Sequence, residues 1–111
     1  MMIELREYLD RNGRSPYAQW FDSLDAPVAA KVASALIRIS QGNFSNVKGV
    51  GGGVLEYRVS FGPGYRIYFG KDGELLVVLL AGGTKKRQQR DIKDAIARWQ
   101  DYKARKKNQE K

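Results

Sequence analysis

Four cations, Lys85, Lys86, Arg87 and Arg90, fall within six residues, and Gly82-Gly83-Thr84 stands directly before them. A turn of this kind on a rigid scaffold suits a polyanion. The plainer alternative is the solvated, basic start of a helix. Cations at a helix N-terminus oppose the macrodipole, however, so their placement costs some stability. Two further arginines lie upstream in alternating stretches. Glu56 and Arg58 belong to Val54–Phe61, and Arg66 and Tyr68 to Tyr65–Gly70. Arginine and lysine hold a phosphate and stabilise the extra charge of its transition state. Beyond that, internal cleavage of RNA requires a group to deprotonate the 2′-hydroxyl and a donor for the leaving oxygen. Arg58, Arg66 and Lys86 are the candidates for phosphate and transition-state contacts, and Glu56 is the candidate base. Lys48, Lys85, Arg87 and Arg90 are candidate nucleic-acid contacts, and Tyr68 is placed to stack a base. The structural alternatives are a surface ion pair for Glu56 and Arg58, and cross-strand packing for Tyr68.

The elements that must position these residues follow from periodicity. Residues 2–8 alternate as a short strand. Ser15-Pro16 is a helix start, with Ser as N-cap and Pro at the first helical position. Tyr17, Trp20, Phe21 and Leu24 follow at helical spacing. A second helix opens between Asp22 and Pro27 and carries the stripe Val28, Val32, Ala35, Leu36 and Ile39, ending at Gly42. The stretch from Gly42 to Gly53 holds five glycines and is expected to be an irregular, mobile loop. Gly51-Gly52-Gly53 is not a phosphate loop, because it lacks the Lys-Ser/Thr ending and the following helix. Three strands come next, Val54–Phe61, Tyr65–Gly70 and the apolar Leu75–Ala81. The last helix runs from Gln88 to about Lys107 with the stripe Ile92, Ala95, Ile96, Trp99 and Tyr102, and residues 103–111 are expected to fray as a basic tail.

The turns imply registers. A three-residue Gly62-Pro63-Gly64 loop pairs Phe61 with Tyr65, hence Ser60 with Arg66 and Arg58 with Tyr68. A two-residue Asp72-Gly73 turn pairs Lys71 with Glu74, hence Tyr68 with Val77 and Arg66 with Leu79. One face then carries Leu55, Tyr57, Val59, Phe61, Ile67, Phe69, Leu76, Val78 and Leu80 beneath the two helices. The other presents Glu56, Arg58, Arg66 and Tyr68 over Val77 and Leu79, with the two arginines as diagonal neighbours.

Composition bounds the rest. A chain of 111 residues fits one domain. The formal net charge of +8 is uneven: residues 1–55 carry six cations against five acids, and residues 56–111 fourteen against seven. This balance points to nucleic acid or an acidic protein as partner. No stretch approaches the ~20 apolar residues of a membrane helix. The N-terminus turns polar within four residues, unlike a signal peptide. There is neither cysteine nor histidine, so no metal and no small-molecule cofactor is expected, and a cytoplasmic location is.

The order strand, two helices, glycine-rich loop, three strands and helix is similar to the RelE/ParE superfamily of toxins from type II toxin–antitoxin systems. Leu55-Glu56-Tyr57-Arg58, Gly62-Pro63-Gly64-Tyr65-Arg66-Ile67-Tyr68-Phe69 and Gly82–Ile92 resemble the addiction-module killer branch, close to HigB-like toxins. The resemblance implies an α+β fold, β-α-α-β-β-β-α, with a mainly antiparallel sheet and a helical hairpin on one face. It implies a ribosome-dependent mRNA endonuclease, held inactive by a cognate antitoxin of helix-turn-helix type. Arg58, Arg66 and Lys85 or Lys86 match the basic residues of that pattern. The tyrosine that some relatives carry after the last basic residue has no counterpart between Gln88 and Asp91, nor has the histidine of HigB relatives. ParE relatives share the fold and inhibit DNA gyrase. A gyrase inhibitor and a non-catalytic RNA-binding module are therefore the alternatives.

Overall fold

The computed structural model describes residues 2–109. Its elements in order are β1 (Glu4–Glu7), α1 (Pro16–Asp22), α2 (Ala26–Ser40), β2 (Val47–Gly51), β3 (Val54–Val59), β4 (Tyr65–Lys71), β5 (Leu76–Thr84), a 3-10 turn (Lys85–Arg87) and α3 (Gln88–Gln109). The sheet order is β1-β5-β4-β3-β2. β1 runs parallel to β5, and the other three pairings are antiparallel. The fold is thus mixed α+β, with five strands and three helices rather than the four strands expected.

The helix starts follow their caps. Ser15 Oγ accepts from the Ala18 amide at 3.0 Å, and Asp25 Oδ1 from the Val28 amide at 3.1 Å. α1 and α2 each have a proline in the first turn, where no amide bond is lost. Gly42, at φ +79°, ends the α2 segment. The expected irregular loop instead contains β2, whose Val47 and Val50 flank Lys48 and Gly49 and which carries a bulge between Gly49 and Gly51. Glycine content hid this edge strand, because a bulged edge tolerates residues that a central strand rejects.

Two apolar layers enclose the sheet. α1 and α2 cover Tyr57, Val59, Ile67, Phe69, Val77 and Leu79. α3 covers Val54, Tyr68, Val78, Leu80 and Ala81 with Ala95 and Trp99. The face read from sequence as solvent-facing is therefore roofed by the last helix. Trp99 lies against the sheet where Gly70 leaves room, since a Cβ there would come within 2.6 Å of the indole.

Both registers differ from expectation, with opposite consequences. β3 and β4 are joined by Ser60–Gly64, so Val59 pairs with Tyr65 and Arg58 with Arg66. That is a shift of two residues, which preserves faces. The connection from β4 to β5 spans residues 72–75, pairing Lys71 with Val77, and Phe69 with Leu79. This odd shift turns Val77 and Leu79 toward the helical hairpin, and Val78 and Leu80 toward α3. Asp72 does not close a two-residue turn. Its carboxylate accepts from Tyr102 Oη at 2.7 Å and from Lys106 Nζ at 2.7 and 2.8 Å, which draws the connection toward α3. A bulge then lets the consecutive Leu80 and Ala81 both enter the α3 layer, and Arg98 Nη1 donates to the Leu80 carbonyl at 3.2 Å.

Candidate nucleic-acid interface

Three elements bring basic side chains to the mouth of the β3–β4 connection. Arg58 comes from β3, Arg66 from β4 and Lys85 from the 3-10 turn, and all three line a depression of about 280 Å³. The loop that floors it has Gly62 at φ +56° and Gly64 at φ +87°, both in the left-handed region. The Lys85 amide donates to the Gly64 carbonyl at 3.2 Å and so ties the cationic turn to this loop. Arg58 and Ser60 also border an adjoining depression of about 350 Å³ that Lys48 lines from β2. The result is one basic track, Lys48–Arg58–Arg66–Lys85, along the sheet end. Such a track can hold successive phosphates of a single strand.

The other expected contacts are placed differently. Lys86, Arg87 and Arg90 are exposed, and none of the three borders these two depressions. Arg87 faces a separate groove of about 520 Å³, together with Trp20, Asp91, Asp94 and Arg98. Gly82 and Gly83, expected from sequence to be part of the basic turn, are instead the end of β5. A Cβ on Gly82 would clash with the Trp20 ring, and one on Gly83 with the Asp91 carboxylate. These glycines admit a helix on each face of the strand.

Glu56 and Tyr68, read as solvent-facing, are both wholly buried beneath the start of α3. Tyr68 therefore presents no ring to a base. Its hydroxyl is pushed well above the ordinary phenol range, first by burial and then by the neighbouring Glu56 charge. Glu56 is not at the surface of the track either. Its Oε2 accepts from Gln88 Nε2 at 2.9 Å and lies 3.7 Å from Arg66 Nε, while Oε1 lies 3.8 Å from Lys48 Nζ. It is a buried counter-ion to two members of the track, not a base at its surface. The sequence did carry one signal of this. A strand apolar on both faces, as Leu76–Ala81 is, requires a cover on both, and only the last helix remained to supply the second. Gln88 was missed altogether, since an amide after a basic run has no periodicity to mark it.

Among the described residues, no three acidic side chains gather closely enough to hold a metal ion. Nor is any helix among them long and apolar enough to cross a membrane.

Residues 19–100 match the family described as phage derived protein Gp49-like (DUF891). A Haemophilus influenzae relative, described only as an uncharacterized protein, is 38% identical over 80 residues, which is 71% of this chain and 81% of that protein. The chain belongs to the Gp49-like family, a toxin-like family related to the RelE/ParE-type toxins.

Proposed function

We propose that this Gp49-like chain is the toxin of a type II toxin–antitoxin module, close to the HigB-like branch, and acts in the cytoplasm as a ribosome-dependent mRNA endonuclease. The observation that carries this reading is the convergence of Arg58, Arg66 and Lys85 from three separate elements on one depression. Preorganised cations are most useful where negative charge grows, as on a phosphate attacked by its own 2′-hydroxyl. In this scheme the 2′-oxygen forms a bond to phosphorus and the 5′-oxygen of the next nucleotide leaves with a proton. Arg58 and Arg66 hold the non-bridging oxygens, and Lys85 is the group that exchanges protons there, while Lys86, outside the depression, adds only supporting charge. Lys48 extends the grip to a neighbouring phosphate.

A specific observation favours a second reading. Because Glu56 is buried, no carboxylate among the described residues lines the track to act as base. A non-catalytic inhibitor of DNA gyrase, or a plain RNA-binding module, needs none. In either case an unguarded basic track binds cellular polyanions, so a tightly bound antitoxin, proposed to be a small helix-turn-helix protein, is part of the scheme.

Induced expression with mapping of mRNA 5′ ends tests the proposal. In-frame cuts confined to translated messages support the endonuclease. A DNA-damage response without cuts selects gyrase, and growth arrest with neither selects RNA binding alone.

A further inference from the structure

We propose that Gln88 is a positioning residue that keeps Arg66 available to a bound phosphate by holding Glu56 away from it. The proposal deepens the reading above and rests on its basic track. Gln88 is the first residue of α3, directly after the Lys85–Arg87 turn. Its side-chain amide donates to Glu56 Oε2 at 2.9 Å, and the buried Tyr68 hydroxyl is the other neutral group beside that carboxylate. The two cations beside Glu56 stand off, Arg66 Nε at 3.7 Å and Lys48 Nζ at 3.8 Å, beyond hydrogen-bond reach. A fully buried carboxylate and an almost fully buried guanidinium would ordinarily close to a short, charge-assisted pair. Here the carboxylate leans toward α3 instead. The Arg66 guanidinium keeps its other end at the depression, where Nη1 lies 3.5 Å from the place a Cβ on Gly64 would take.

The consequence is specific. Without the Gln88 amide, Glu56 keeps only the Tyr68 hydroxyl as a neutral neighbour and closes on Arg66 Nε, which draws the guanidinium inward, away from the depression where a phosphate would meet it. Lys85 is carried by the same turn, so Gln88 also registers that turn against β3 and β4. Glu56, Arg66 and Gln88 thus form a balance in which an amide competes with a ligand-binding cation for one buried carboxylate.

The test uses the full chain and inorganic pyrophosphate, a probe that does not require RNA to be the natural target. Gln88→Met keeps the length and helix propensity of the side chain but removes the donor. The Arg66 Nε–Hε resonance should move on adding pyrophosphate to the wild type. In Gln88→Met it should already be shifted and protected without ligand, with pyrophosphate binding about tenfold weaker, the scale of one lost charge-assisted contact. Adding Glu56→Gln to Gln88→Met removes the competing charge and should restore binding to within about twofold, which a purely structural role for Gln88 does not produce. Circular dichroism of each variant confirms that it is folded, and Gln88→Asn, too short to reach Glu56, serves as a second variant if Gln88→Met is not. The inference is overturned if folded Gln88→Met binds pyrophosphate like the wild type, if the double variant binds as weakly as the single, or if the wild-type Arg66 resonance ignores pyrophosphate. A wild type that binds pyrophosphate in this way but cuts no message in cells leaves the inference standing and overturns the endonuclease instead.

Discussion

Arg58 and Arg66 face each other directly across β3 and β4, on the same side of the sheet, yet one is exposed and the other 6% exposed. Like charges placed opposite on a sheet repel. The arrangement persists because Glu56, two residues before Arg58, compensates Arg66 from within while Arg58 extends into solvent. Two arginines that look equivalent in sequence therefore have different energetics.

The first prediction separates them. Arg58→Ala should change unfolding stability by no more than about 0.5 kcal/mol, as for an ordinary surface position. Arg66→Ala leaves a buried carboxylate with the Gln88 amide and the exposed, more distant Lys48, and should cost about 1–3 kcal/mol. Both should lower single-turnover RNA cleavage by about 10²-fold, the scale of a lost transition-state charge contact. Urea unfolding beside single-turnover kinetics checks both; equal stability losses would show that the buried pairing has been misassigned.

The second concerns the end of β5. Gly82→Ala drives a methyl into the Trp20 ring, and Gly83→Ala one into the Asp91 carboxylate. Packing of this kind costs about 1–3 kcal/mol. Gly82→Ala should be the worse, because the new methyl overlaps three atoms of a rigid indole ring, whereas the smaller Asp91 carboxylate can rotate away. Thermal melts of the two variants settle the order, and an unchanged midpoint for Gly82→Ala would contradict the close approach of α1.

The third concerns pH. Burial raises the Asp91 carboxyl above its ordinary value, against the lowering effect of Arg87, Arg98 and Arg90 and with some help from Asp94. For a raised acid, the stabilising contribution is fully present below the unfolded value of about 3.9 and is lost as pH rises through the folded one. Asp91→Asn should therefore be more stable than the wild type at pH 7, and the gap should close toward pH 4. Asp72 and Asp101 have the opposite sign. Lys106 and Tyr102 lower Asp72, and Tyr8 and Arg105 lower Asp101. Their contribution is present above about pH 3.9 and disappears as pH falls through the lowered values. Denaturant midpoints of the three Asn variants between pH 3 and 7 would reveal the reversal; parallel curves would refute it.

The fourth concerns the end of the chain, expected from sequence to be dispensable. α3 instead continues to Gln109. Lys106 binds Asp72, and Arg105 donates to the Leu9 carbonyl at 2.5 Å and pairs with Asp101 at 2.6 Å. Truncation after Tyr102 should cost about 1–2 kcal/mol and lower the midpoint by about 5–10 °C. A truncated chain that melts like the full one would return these residues to the role of a frayed tail.

How much of this was legible in sequence depends on the range of the interaction concerned. The helix starts at Ser15-Pro16 and before Pro27, the stripe Val28–Ile39 and the start of α3 at Gln88 were determined by the chain alone, because capping and 3.6-residue periodicity act within one or two turns. The alternation of β3 and β4 likewise assigned Glu56, Arg58, Arg66 and Tyr68 to one face, and an even register shift could not undo that. Three things only the tertiary structure decided. The register of β5 depended on Asp72 being drawn to Tyr102 and Lys106, thirty or more residues away. The burial of Glu56 and Tyr68 depended on which sheet face α3 would cover, a choice made by Trp99 fitting over Gly70. The role of Gly82 and Gly83 depended on Trp20 and Asp91, from helices at opposite ends of the chain. Periodicity determines which side chains share a face; what lies above that face is settled by packing between segments far apart in sequence.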